Sequence, residues 1–294
     1  MAVTERLTPE YTPDQLPPMD VAGRAARLRP LIAAAGCDAL VVTNLTNVRY
    51  LTGFTGSAAI LLVTADDLLF VSDGRYQTQS ADQLSAAGVD ARIEIVAAEP
   101  DAVVAAAAQA AGVLRLGLES QSVTWAQQRR WAGELFPAGE LVPAESLVED
   151  LRLVKDAGEA ARIRSACAIA DAALADVRGR LLEGPTEIEF GLELDAAMRR
   201  LGAEDVSFET IVASGPNGAK PHHHPSDRRI EQGDLVVIDF GALVDGYHSD
   251  MTRTVAVGDV GDERRRMLDV VLRSQDAGVQ AVAAGSTAAE VDAV

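Results

Sequence analysis

Residues 236–257 read VVIDFGALVDGYHSDMTRTVAV, an apolar strand that carries Asp239 near its end and a second acid, Asp250, eleven positions later. Burying an unpaired carboxylate is costly, so such a strand needs something to compensate the charge. Between the acids lies Asp245-Gly246, a pair that supplies the positive φ angles of a two-residue type I′ hairpin. With those two residues as the loop, Val244 pairs with Tyr247 and Asp239 stands opposite Thr252. Side chains alternate faces with period two, so Asp239 and Asp250 project from one face as diagonal neighbours, their β-carbons roughly 7–8 Å apart or somewhat less. A slip of one residue would send them to opposite faces. Carboxylates placed in this way can converge on one or two cations. Hard oxygen donors favour manganese, magnesium or a similar divalent ion over a thiolate-type zinc site. The plainer alternative is an exposed strand on which Asp250 merely pairs with Arg253.

Upstream of this hairpin, the loop GPNGAKPHHHPSD (215–227) follows the strand-like TIVAS and contains His222, His223 and His224. Before it, a long helix is predicted from Asp156 to Leu182. A second helix opens at Thr186, where Thr186-x-x-Glu189 forms a capping box, and ends near Leu201-Gly202. Downstream, a third long helix covers roughly 262–284. The pattern G-x-T-x-x-E at 184–189 recurs at 285–290, again after a long helix, a weak sign of an internal repeat. The second copy opens a helix four residues before Val294, too short to be stable alone. The sequence therefore reads as a fragment of a longer protein.

The amino-terminal half has another rhythm. Residues 1–20 are polar with four prolines and read as a flexible arm. AGRAARLRPLIAAAG suits a helix, then DALVVT, AAILLVT and LLFVSD follow as short apolar runs. An alanine-rich helix near 100–111 precedes the strand-like VLRLGLE, and 137–155 reads as a connection with a short strand or turn. Strands alternating with helices indicate a layered α/β domain. The expected division is an arm (1–20), an α/β domain (21–150) and an α+β domain (151–294).

The formal net charge of −18 argues against a nucleic-acid or anionic-membrane partner. No apolar stretch reaches the length of a membrane span, and the first residues lack the apolar core of a signal peptide. Cys37 and Cys167 are isolated, form no disulfide framework or zinc pattern, and fit a reducing cytoplasm.

At this point the residues support a resemblance. SGPNGAKPHHHPSDRRIEQGDLVVIDFGALVDGYHSDMTRTVAVG resembles the pita-bread metallopeptidases of the Xaa-Pro aminopeptidase and prolidase type. DALVVTNLTNVRYLTGFTGS followed by FVSDGRY is similar to the creatinase-type N-terminal domain that accompanies them, and LRLVKDAGEAARIRSACAIADAAL matches the link. The resemblance runs from about residue 22 to 294. It implies two divalent metal ions, manganese first with cobalt or zinc as alternatives, held by Asp, Asp, His, Glu and Glu. Asp239 and Asp250 match the first two ligands, and His222 matches the histidine that lines the substrate pocket and supports the tetrahedral intermediate. The implied reaction is hydrolysis of the bond before proline, with a proline-containing peptide as partner and a homodimer as the complete form. The remaining His and two Glu have no counterpart here. Two of five ligands imply weak metal binding and little activity for this chain alone.

Other residues leave alternatives open. Arg75 and Tyr76, in SDGRY, either reach a neighbouring subunit's active site or, with Asp73, fix a turn at a strand end. Thr252 shares a face with Asp250 and can hydrogen-bond a metal ligand. His223 and His224 read as pocket wall or surface, and His248 as lying on the face away from Asp250. Asn47, Arg49 and Tyr50 read as braces of a loop with a pocket role as the alternative, and Trp125 and Trp131 as packing residues. Two competing functions remain, a metal-free creatinase-like hydrolase and a non-catalytic pita-bread binding module. The intact aspartate pair speaks against the first.

Overall fold

The runs ALVV, ILLVT and LLFVSD become neighbouring strands because each is apolar on both faces and is covered on both by helices. The computed structural model describes residues 15–294, and of the expected arm at 1–20, residues 1–14 lie outside the described part. Pro18–Asp156 form one compact unit. Ala157–Val294 form the other, together with Leu16, which packs on that unit's core, and Pro17, whose carbonyl accepts from Arg162 Nη1 at 2.9 Å.

The first unit runs α1 (Arg24–Ala34), β1 (Ala39–Val42), α2 (Leu45–Thr52), β2 (Ile60–Thr64), β3 (Leu68–Asp73), α3 (Gln77–Ala86), β4 (Arg92–Val96), α4 (Pro100–Ala110), β5 (Arg115–Glu119), α5 (Trp125–Arg130), β6 (Glu140–Ala144) and α6 (Leu147–Leu153). Its six strands lie in the order β4-β3-β2-β1-β5-β6. Only β2 runs antiparallel to its neighbours. One face packs Leu28, Ile32, Leu51, Phe54 and Leu84 against Leu40, Val42 and Phe70. The other packs Val104, Ala108, Trp131 and Phe136 against Val41, Leu62 and Leu69. This is the layered α/β arrangement the sequence predicts.

Several details differ. Asn47, Arg49 and Tyr50, read as braces of a loop, lie on the helix α2, and Trp125 is 77% exposed while Trp131 packs in the core as expected. Cys37 is buried just after α1, and Cys167 is exposed on the first helix of the second unit.

The second unit runs α7 (Ala157–Val177), α8 (Glu187–Arg200), β7 (Asp205–Val206), β8 (Ile211–Ser214), β9 (Leu235–Phe240), β10 (Ala242–Val244), β11 (Tyr247–His248), β12 (Met251–Ala256), α9 (Gly261–Ala281) and α10 (Ala288–Asp292). The helix expected to reach Leu182 ends at Val177 and tightens into a 3₁₀ turn over Arg178–Glu183. Thr186 caps α8 and Thr287 caps α10, and both capping boxes form as read from the sequence. The strands make two small sheets, β12-β9-β8 and β11-β10-β7. Helices α7 and α8 cover one face of β9, where Val236, Ile238 and Phe240 join Phe190, Leu194 and Met198. Full burial of a side chain such as Phe190 is worth about 1.5–3 kcal/mol. The opposite face of β9, carrying Val237 and Asp239, is only half-buried, so β9 alternates where the sequence suggested a wholly buried run.

Candidate functional site

The hairpin forms in the register that its Asp-Gly turn dictates. Asp245 and Gly246 adopt φ of 46° and 79°, Val244 pairs with Tyr247, and Leu243 pairs with His248. On the far side of a bend, Thr252 pairs with Asp239 and Met251 with Phe240. Gly241 makes the bend, since a Cβ there would lie 2.0 Å from the Ser249 carbonyl oxygen, a distance no side chain tolerates. Ser249 turns inward at this point, accepting from the Ala242 N–H at 2.9 Å and donating to the Ala166 carbonyl at 3.2 Å. Asp250 then faces out, between buried Ser249 and half-buried Met251.

This alternation puts Asp250, Thr252 and Asp239 on the face of the sheet away from α7 and α8. Thr252 Oγ1 donates to Asp239 Oδ1 at 2.9 Å. Arg253, expected as a rival partner for Asp250, instead donates from Nη1 to the Thr252 carbonyl at 2.8 Å, and no ion pair joins it to Asp250 among the described residues. The two carboxylates stay at a half-buried and an exposed position, where hydration offsets much of their charge cost.

His222 is exposed in the loop after β8. That loop follows a 3₁₀ turn over Gly215–Ala219, and β8 pairs with β9 from Ile211↔Asp239 to Ser214↔Val236. The hydrogen bonds of the described residues do not join His222 to either aspartate. Of its neighbours, read as pocket wall or surface, one turns inward and the other lies on the surface. His223 is nearly buried and contacts Glu187 Oε2 through Nε2 at 2.8 Å, whereas His224 is exposed and pairs with Glu209 at 3.0 Å. His248 contacts Ser207 Oγ at 2.9 Å beside the sheet β11-β10-β7.

Glu187 was not singled out by sequence reasoning, although it is fully buried at the first turn of α8. Burial alone would push its carboxyl up. Hydrogen bonds from Ser214, Ser226, Asn217 and His223 outweigh that and hold it well below the usual glutamate range. A signal was present: Glu187 falls on the same helical stripe as buried Phe190, Gly191, Leu194 and Met198.

In the first unit, Arg75 forms a two-pronged pair with Asp73, Nε to Oδ1 at 3.0 Å and Nη2 to Oδ2 at 2.8 Å, and Asp73 also accepts the Arg75 N–H. Tyr76 hydroxyl meets Ser57 Oγ at 2.6 Å. This is the turn-fixing arrangement weighed for SDGRY.

As part of a metal site, the acid face supplies two carboxylates, one steadied by a threonine, and these are suitable hard donors for a divalent ion. Among the described residues no group of three or more His, Cys, Asp or Glu side chains is gathered for a metal. The donor chemistry fits, and the donor number falls short.

Comparison with known proteins places these features. The model of "Metallopeptidase family M24" matches residues 161–294, and that of the "Creatinase/Prolidase N-terminal domain" matches residues 24–154. The uncharacterized peptidase YqhT of Bacillus subtilis is 38% identical over 269 residues, which are 91% of this chain and 74% of that protein. An Xaa-Pro dipeptidase of Pyrococcus furiosus is 44% identical over 132 residues, 45% of this chain and 38% of that one. Among solved structures, the Xaa-Pro dipeptidase from Bacillus anthracis superposes with a TM-score of 0.88 at 36% identity, covering 93% of this chain and 75% of its own. The X-Pro aminopeptidase from Thermotoga maritima gives 0.82 at 32%, covering 92% and 75%.

Proposed function

The chain belongs to metallopeptidase family M24, with a creatinase/prolidase-type domain ahead of the pita-bread domain, and from that membership we propose a metal-dependent exopeptidase that hydrolyses the Xaa-Pro bond of dipeptides or short peptides. One observation carries the reading. The β9–β12 register brings Asp239 opposite Thr252 and leaves Asp250 on the same open face, while the apolar residues of β9 face the helices.

In this reading Asp239 and Asp250 hold the divalent ions, manganese first, and Thr252 fixes the orientation of the Asp239 carboxylate. The ions would supply Lewis acidity and a nucleophile at neutral pH. His222, exposed in its loop, lines the peptide's pocket and donates to the oxygen that gains charge at the scissile carbonyl. The preference for proline is supported by the similarity to the Xaa-Pro dipeptidases of P. furiosus and B. anthracis. A cytoplasmic location and a homodimer belong to the same proposal, the location supported by two isolated cysteines. Because no third His, Cys, Asp or Glu joins the pair among the described residues, weak binding of the ion and slow turnover are expected.

The test compares release of proline from alanyl-proline with hydrolysis of alanyl-alanine, each with added manganese. Slow cleavage of the first, abolished by Asp239→Asn, supports the proposal. Equal cleavage of both dipeptides, or cleavage indifferent to Asp239, would overturn it.

A further inference from the structure

The segment that carries His222 leaves the sheet at Ser214 and returns along the entry to α8. The return is zipped to that entry by main-chain bonds: Glu187 N–H donates to the Arg228 carbonyl at 3.1 Å, Ile188 N–H to the Ser226 carbonyl at 3.3 Å, and Ile230 N–H to the Pro185 carbonyl at 2.9 Å. Among the described residues no main-chain bond of this kind ties the outgoing arm to α8. The Glu187 side chain joins the two arms, and its two oxygens divide the work.

Glu187 Oε1 accepts from Ser214 N–H at 2.7 Å, from Ser214 Oγ at 2.6 Å and from Asn217 Nδ2 at 3.0 Å, all on the outgoing arm. Oε2 accepts from Ser226 N–H at 3.0 Å, from Ser226 Oγ at 2.6 Å and from His223 Nε2 at 2.8 Å, all on the return. Asn217 Nδ2 also reaches Oε2 at 3.3 Å. A second layer tightens the outgoing end. Arg228 Nη1 donates to Ser214 Oγ at 2.5 Å and to Asp234 Oδ2 at 2.6 Å.

A buried carboxylate that accepts this many bonds stays ionised. It is retained at a position of the α8 stripe that would otherwise favour an apolar residue.

We propose that Glu187 is a positioning residue, a carboxylate clasp that closes the loop 215–226 and thereby sets where His222 stands, with His223 as its link rather than a metal donor. This rests on the reading of His222 as a substrate-facing residue. The clasp itself rests on the contacts alone. The protonated Nε2 of His223 is committed to Glu187, which leaves His222 as the member of the histidine run free to meet a ligand. The geometry also explains why three adjacent histidines do not act alike, since 223 points in to the clasp while 224 points out to Glu209.

The experiment uses the full 294-residue chain with Glu187→Gln, His222→Ala and the double variant. Amide hydrogen exchange reads the loop, and ligand-observed NMR reads binding of alanyl-proline in the presence of magnesium. The amide of glutamine keeps the size of the side chain but offers only one accepting oxygen. Expected is exchange at 215–226 faster by about tenfold or more, with amides of α7 and β9 unchanged. Binding should weaken in each single variant, and the double variant should be no weaker than His222→Ala, because a misplaced His222 and a missing one lose the same contact. Unchanged exchange at 215–226, acceleration spread evenly over the second unit, or additive losses in binding would each overturn the proposal. If His222→Ala binds alanyl-proline as the unaltered chain does, the substrate-facing reading of His222 and the positioning role built on it both fall. The clasp then stands or falls on exchange alone.

Discussion

Thr252 and Asp239 face one another across β9 and β12, and the threonine hydroxyl donates to the aspartate at 2.9 Å. The bond fixes one carboxylate oxygen, Oδ1. Thr252→Val keeps the shape and deletes the donor at an exposed site. Urea denaturation is expected to shift by less than about 1 kcal/mol, while manganese affinity falls by about tenfold. Thr252→Ser should restore that affinity. Equal manganese affinity in all three chains would show that the bond serves only the strand.

The bend at Gly241 predicts a sharper effect. An alanine there would press its Cβ onto the Ser249 carbonyl, and the crowding atom is backbone, which cannot swing aside. Gly241→Ala is expected to cost more than about 2 kcal/mol in chemical denaturation of the chain, in the range of overpacking penalties. A variant as stable as the parent would mean that the hairpin is not bent at this position.

Glu187 gives a pH signature. Its carboxyl is held below the usual range in the fold, so the unfolded chain binds the proton more readily. The stabilisation is complete above the unfolded glutamate pKa, roughly 4.3, and drains away as pH falls from there toward the lower folded value. Glu187→Gln should lower the melting temperature at pH 7, and the gap to the parent should narrow by pH 3. A gap that stays constant with pH would contradict the sign.

Asn47 is a similar node in the first unit. Its amide donates to Glu119 Oε1 at 2.7 Å and to Glu149 Oε1 at 2.6 Å, and its carbonyl accepts from Arg152 at 3.0 Å. Asn47→Ala is expected to cost about 2–4 kcal/mol in chemical denaturation, because buried partners lose their mate. Asn47→Asp is nearly the same shape and should cost more, since it sets a third carboxylate beside two others. An aspartate variant more stable than the alanine variant would overturn this reading.

The acid hairpin was legible because two local rules determine it. A two-residue Asp-Gly turn sets the register, and period-two alternation then decides which side chains share a face. The capping boxes at Thr186 and Thr287 were legible for the same reason, since both partners lie within four residues. Glu187 was not. Its partners lie between 27 and 39 residues away, and the capping pattern drew the reading to the residues on either side of it. Helix α2 was missed because Asn47 interrupts its apolar stripe, although that asparagine is buried by its bonds to other elements. Strand β4, RIEIV, alternates charged with apolar residues at the sheet edge, a pattern that carries little weight in so short a run. The bend at Gly241 depends on the approach of Ser249 from the other strand, which only the folded chain brings about.

The most direct test is manganese binding by the 294-residue chain, followed by electron paramagnetic resonance of the free ion during titration. The parent is expected to bind weakly and saturably, and Asp239→Asn and Asp250→Asn are each expected to weaken that binding by more than about tenfold. Titration curves that overlay for all three chains would mean that these carboxylates do not share an ion, and the metallopeptidase reading of this face would be contradicted.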